Sequence, residues 1–190
     1  MSLKLKKIWH FIWYEDSLAS WLVNLVLAFI LVKFIIYPGF GLLLGTKFPI
    51  VAVVSSSMEH NGLNFDRWWE ERREWYESKN FKKEKFRWYP FHSGFNKGDI
   101  MILKGLEPKD IKIGDVVVYE SSNYKNPIIH RVVEIKGNED LKFVTKGDNN
   151  FDVDNSLVTE EQIKRTGKAV MRIPLLGWIK IWFVEIFQKK

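Results

Sequence analysis

From Leu18 to Tyr37 the chain reads LASWLVNLVLAFILVKFIIY, an almost wholly apolar stretch. At about 1.5 Å per residue, a helix of this length spans roughly 30 Å, the hydrocarbon thickness of a bilayer. Such a helix either crosses a membrane or has to be covered on every side by a core. Asn24 and Lys33 interrupt it. Lys33 lies about one turn from the predicted end, where an ammonium group can snorkel to the interface. Pro38 and Gly39 are expected to close the segment. No small-residue cleavage site follows a short apolar region, so the stretch is read as an anchor and not as a cleaved leader. Lys4, Lys6 and Lys7 precede it, with Glu15 and Asp16 beside it. Lysine and arginine dominate topology, which predicts a cytoplasmic N-terminus and an extracytoplasmic remainder.

The 190 residues leave room for one further compact domain. Cysteine is absent, which excludes disulfides, thiolate metal sites and a cysteine nucleophile. The net charge of +6 suits either nucleic acid or an anionic membrane. Nine tryptophans in a chain that is 15% aromatic favour the membrane, because Trp, Tyr, Lys and Arg are the residues of the membrane–water interface.

Beyond the anchor the pattern is mainly β. Phe48 to Val54, Asp99 to Lys104, Asp115 to Glu120, Ile128 to Ile135 and Leu141 to Thr145 are short β-rich runs. Gly-Asp and Gly-Asn turn signals separate most of them, which predicts an antiparallel sheet. Glu160 to Arg165 is a short helix or turn. Between the first two runs lies a stretch dense in aromatics and charge, residues 61–95. Phe65, Trp68, Trp69, Trp75 and Tyr76 fall near one helical face behind a candidate N-cap, Asn64. The stretch is read as an amphipathic helix and a basic loop, serving as a cap on the β-domain, as a paddle at the bilayer surface or as a partner-binding surface. Its six acidic residues work against a nucleic-acid role: Asp66, Glu70, Glu71, Glu74, Glu77 and Glu84. The C-terminal run Arg172 to Phe187 is apolar, but Pro174, Gly177, Lys180 and Glu185 break it. It is read as a membrane-associated segment, with a core element of the β-domain as the alternative.

The predicted organisation is therefore a cytoplasmic N-terminus (1–16), a transmembrane anchor (17–39), an extracytoplasmic β-domain (40–170) and a C-terminal apolar segment (171–190).

Candidate chemistry is sparse. His130 sits in a β-run with Ile128 and Val132 on the same face, where a histidine is usually a packed core residue. Ser57 is one of three consecutive serines at a strand end, a common turn composition. Asp148, Asp152 and Asp154 crowd the loop GDNNFDVDN. Their spacing resembles oxygen ligands for calcium, but the glutamate at the twelfth position of that pattern is missing. The histidines have no zinc-ligand spacing and no phosphate-binding glycine loop is present. No metal and no cofactor is expected.

Taken in order, the motifs resemble a known family. The serine box Val53-Val54-Ser55-Ser56-Ser57-Met58-Glu59 is followed by Lys97-Gly98-Asp99-Ile100 and Gly114-Asp115-Val116-Val117-Val118-Tyr119. Pro127-Ile128-Ile129-His130-Arg131-Val132 and Lys146-Gly147-Asp148-Asn149-Asn150 complete the set. From about Leu18 to Val170 this is similar to type I signal peptidases of the archaeal and endoplasmic-reticulum branch. That branch carries a histidine at the strand where bacterial enzymes carry a lysine. The resemblance implies a signal-peptidase-like β-domain and a membrane-bound serine endopeptidase that removes signal peptides from secretory preproteins. It implies Ser57 as nucleophile and His130 as general base, with Asp154 orienting His130 and Asp148 in support or as the alternative. The backbone N–H of Ser57 and the hydroxyl of Ser55 would form the oxyanion hole. The implied partners are preproteins, the lipid bilayer and the protein translocation machinery, with no nucleic acid. The implied location is the cell membrane, crossed once or with a second C-terminal segment.

Overall fold

A computed structural model describes residues 3–121, 124, 126–179, 181 and 182. The chain divides into two compact units, residues 1–43 and 44–190.

The first unit is helical. α1 (Leu3–Tyr14) leads into α2 (Leu18–Leu31), which Ser17 caps by accepting a bond from the Ser20 amide. A π-helical turn (Val32–Ile36) joins α2 to α3 (Tyr37–Leu44). The three pieces form one apolar helix, Leu18–Leu44, of 27 residues. That is about 40 Å, ample for a bilayer. Pro38 and Gly39 thus do not end the segment. A proline inside a helix removes one backbone donor and crowds the carbonyl four residues earlier. The π turn just before Pro38 opens the helix locally, so the chain continues past it. Lys33 consequently lies well inside the helix, its ammonium over the rings of Phe29 and Phe34. Asn24 has a local purpose, since its amide donates to the carbonyl of Ile12 at the end of α1.

The second unit is built on seven antiparallel strands: β1 (Ile50–Ala52), β2 (Ile100–Lys104), β3 (Val116–Tyr119), β4 (Ile128–Lys136), β5 (Lys142–Lys146), β6 (Val158–Thr159) and β7 (Lys168–Ile173). Their order is β1-β2-β7-β3-β4-β5-β6. The mainly β, antiparallel expectation is met. β7 lies inside the sheet between β2 and β3, so the expected domain limit at residue 170 cuts through a central strand. Its continuation stays with the sheet. The Gly177 amide donates to the Gly98 carbonyl, the Leu175 amide donates to Asp99, and Ile181 is buried. The run is tied to the sheet at these points, while Leu175, Leu176, Ile179 and Trp182 stay exposed. Residues 183–190 of that run lie outside the described residues.

The aromatic stretch forms α4 (Phe65–Ser78) and a short α5 (Lys83–Phe86). Asn64 caps α4 by accepting a bond from the Arg67 amide at 3.0 Å, and Asp66 lies in its first turn, where the helix dipole favours an anion. Phe65, Trp68, Trp69 and Tyr76 point inward and pack with Phe81, Phe86, Val133 and Val144. Trp68 and Trp69 are each 1% exposed. Burying about 150–250 Å² per ring contributes on the order of 4–6 kcal/mol each. Turning these rings toward a bilayer would forfeit that, so the aromatic face of α4 stays packed on the sheet.

Candidate active site

The alternation of β4 and β5 assigns every polar group near the serine to one of two faces. In β4, His130 and Arg131 are neighbours and point to opposite sides of the pleat. In β5, Thr145 and Lys146 do the same. The register sets Val117 opposite His130, Tyr119 opposite Ile128 and Val132 opposite Thr145. One face therefore carries Tyr119, His130 and Thr145. The other carries Arg131 and Lys146 beneath the aromatic cap.

Ser57 reaches the first face from the turn after β1. The side chain of Met58 is 1% exposed and anchors that turn in the core. The Asn149 amide donates to the Ser57 carbonyl at 2.8 Å, tying the turn to the acidic loop. The Ser57 hydroxyl donates to His130 Nε2 at 2.9 Å. The opposite nitrogen, Nδ1, lies 2.7 Å from Asp154 Oδ2 and 2.9 Å from Oδ1. A carboxylate only accepts, so Nδ1 carries the proton and Nε2 is free to receive one. Ser55 Oγ lies 3.1 Å from Ser57 Oγ.

Asp154 is held by more than the histidine. Thr145 Oγ1 donates to Oδ2 at 2.6 Å and the Tyr119 hydroxyl donates to the same oxygen at 2.8 Å. The Asp154 amide also donates to the Thr145 carbonyl. Burial works to raise the Asp154 carboxyl, but the hydrogen bond and charge of His130, aided by the two hydroxyls, outweigh it and hold the group below its usual value. Burial pushes the Tyr119 phenol well up, so it stays a donor.

Asp148 belongs to the other face. Its carboxylate receives two bonds from Arg131, at 2.8 and 2.7 Å, and both residues are 0% exposed. Arg131 also donates to the carbonyls of Pro90, Phe91 and Gly114. The Tyr76 hydroxyl donates to Asp148, and His60, stacked flat on Trp68, lies 3.5 Å away. Of the two aspartates that the sequence leaves open, Asp154 is the one bonded to His130. Asp148 ties the sheet to the cap. Burial would raise its carboxyl, but the Arg131 charge and hydrogen bonds, then His60, hold it well below the carboxylate range.

Lys146 is a second basic group that sequence reasoning passed over. Burial brings its ammonium down to about 8, with Asp148 opposing and Arg72 and Arg131 assisting. It lies on the cap side of β5, 4.8 Å from the ring centres of both Trp75 and Tyr76, and donates to the Gly147 carbonyl. It faces away from Ser57. Tyr119 and Thr145 were also missed. Their signal was the strand register, which the sequence does not display.

A cleft of about 540 Å³ opens beside this chain of bonds, with Ser57, His130 and Asp154 on its wall. Ala52, Val54, Ile128 and Val153 give it an aliphatic lining. Among the described residues, no group of three or more His, Cys, Asp or Glu side chains is placed to hold a metal ion.

Gly147 permits the close approach of the acidic loop. A Cβ there would lie 2.6 Å from the Ser57 carbonyl oxygen and 2.9 Å from His130 Nε2. Gly147→Ala is expected to push the ring off the serine and cut turnover about 10²-fold, with a destabilisation of about 1–3 kcal/mol. Parallel cleavage and denaturation measurements check this.

No family model matches the chain. Curated relatives do. The signal peptidase complex catalytic subunit SEC11 of Lachancea thermotolerans is 31% identical over 163 residues, covering 80% of this chain and 76% of the relative. The chain belongs to the type I signal peptidase family, in the branch of the SEC11 catalytic subunits. The SEC11 subunit of Scheffersomyces stipitis is 28% identical over 159 residues, which cover 80% of this chain and 75% of that protein. The human signal peptidase complex catalytic subunit SEC11C is 29% identical over 153 residues, 77% of this chain. The chain spans 62% of the length of that mammalian relative. Family membership and the fold agree with the resemblance carried by the five motifs.

Proposed function

We propose that the protein is a membrane-bound serine endopeptidase that removes N-terminal signal peptides from secreted preproteins. The observation that supports this most is the continuous chain Ser57–His130–Asp154 in a member of this family. The apolar helix Leu18–Leu44 is the anchor in this reading. The β-unit then works on the extracytoplasmic side of the cell membrane, supplied with preproteins by the translocation machinery.

A serine hydroxyl is a weak nucleophile unless a base takes its proton. Ser57 Oγ attacks the scissile carbonyl as His130 Nε2 accepts the hydroxyl proton. Asp154 holds the ring in the Nδ1–H tautomer and stabilises the cation that forms. The C–N bond then breaks, and the imidazolium returns the proton to the leaving amine. Water, deprotonated by the same nitrogen, hydrolyses the acyl-serine and restores the hydroxyl. The Ser57 amide and the Ser55 hydroxyl face the developing oxyanion. The substrate lies extended in the cleft beside β1, whose outer edge pairs with no other strand among the described residues.

The decisive experiment incubates a preprotein with the full chain in detergent, wild type beside Ser57→Ala. Mature product is expected only with wild type, at equal thermal midpoints for both proteins. Cleavage by Ser57→Ala at the wild-type rate would sink the assignment.

A further inference from the structure

The residues ahead of the anchor, expected as a cytoplasmic N-terminus with no element assigned to them, form a helix. α1 runs from Leu3 to Tyr14. At 100° per residue, Leu5, Ile8, Trp9, Ile12 and Trp13 fall on one arc, and Lys4, Lys6, Lys7, His10 and Tyr14 fall on the other together with Leu3 and Phe11. The end of α1 is tied to α2. Ser20 Oγ donates to the Phe11 carbonyl at 2.6 Å and the Asn24 amide donates to that of Ile12 at 2.9 Å. Yet most of the apolar arc is exposed, with Ile12 partly covered. Leu5 and Ile8 are each 55% exposed, Trp9 54% and Trp13 65%. An apolar arc of this kind does not remain in water beside a long apolar helix that is itself almost uncovered. The two tryptophans and three lysines are the residues that settle at a headgroup layer.

We propose that α1 is an interfacial helix that lies on an anionic bilayer surface, its Leu5–Ile8–Trp9–Trp13 face in the headgroup–acyl boundary and its lysines against lipid phosphates. The occupant is a lipid surface for two reasons. α1 is bonded to the first turns of the one helix in the described residues long and apolar enough to cross a membrane. Its polar arc is basic and carries no acid. The nearest carboxylates, Glu15 and Asp16, lie beyond its C-terminal end, and Glu15 accepts a bond from the Ser17 hydroxyl at the start of α2. The anionic cytoplasmic leaflet is the surface that such lysines fit. The helix thereby fixes how deep the anchor sits, independently of the chemistry at Ser57.

The chain has no cysteine, so single cysteines can be spin-labelled without background. Full-length Lys4→Cys, Lys7→Cys, Ile8→Cys and Trp9→Cys proteins are reconstituted in vesicles of phosphatidylcholine, with and without phosphatidylglycerol. Collision of each label with oxygen and with a water-soluble nickel chelate is then measured. With phosphatidylglycerol, the oxygen-to-chelate ratio is expected to be severalfold higher at positions 8 and 9 than at 4 and 7. Adding Lys6→Gln to the Ile8→Cys and Trp9→Cys proteins is expected to shift the bound-to-free balance of α1 about fivefold toward free. Chelate access at all four positions overturns the proposal. So does shielding of 8 and 9 from both reagents, which would mean a protein partner. Equal ratios with and without phosphatidylglycerol also overturn it.

Discussion

His130→Ala is expected to cut preprotein cleavage about 10⁶-fold, as far as Ser57→Ala, and the double variant no further. The reason lies in the geometry. The Ser57 hydroxyl donates to His130 Nε2 at 2.9 Å, so each residue is useful only while the other is present. Two independent contributions would multiply. Two halves of one proton transfer do not, and the double variant should retain only the background from cleft binding and oxyanion donors. Single-turnover cleavage by the three variants reads this directly. Full activity in His130→Ala would eliminate the histidine mechanism. Lys146 offers no obvious rescue, because it sits on the far side of β5 against Trp75 and Tyr76.

The second large effect separates the two aspartates. Asp148→Ala leaves Arg131 fully buried with no anion, a change that costs about 3–5 kcal/mol. Asp154→Asn keeps the shape of a half-buried side chain and is expected to cost less stability than Asp148→Ala while lowering kcat about 10⁴-fold. Denaturant unfolding and cleavage measured on both variants give the comparison. An Asp148→Ala protein as stable as wild type would falsify the structural role assigned to the Arg131 pair. The pair also sets the response to acid. Arg131 holds the folded Asp148 carboxyl below its unfolded value, so its contribution is complete above the unfolded pKa of about 3.9 and is lost as pH falls below that toward the folded value. Wild type should therefore lose stability on acidification below about pH 4. An Asp148→Asn protein should show a shallower loss across the same range.

The apolar length of the anchor, the absence of cysteine, the short β-runs with Gly-Asp turns and the order of the five motifs are local properties of the chain. They could be read in advance because each depends only on neighbouring residues: side-chain hydropathy along a helix, alternation along a strand, turn residues where the backbone reverses. The N-cap at Asn64 and the aromatic face of α4 were legible for the same reason. Three features were not. Pro38 looks like a stop, and only the π turn before it lets the helix run to Leu44. β7 carries no strong alternation, and its place between β2 and β3 exists only once those strands leave a gap to fill. The division of labour between Asp148 and Asp154, six residues apart in one loop, depends on which face of the sheet each carboxylate reaches. His130 and Arg131 are adjacent in sequence and opposite in space, so the pleat sends one aspartate to the histidine beside Ser57 and the other to the cap. Sequence by itself determined which residues were available for chemistry and for the membrane. Tertiary structure alone decided which of them meet, because strand register and loop closure bring together side chains up to 97 positions apart, from Ser57 to Asp154.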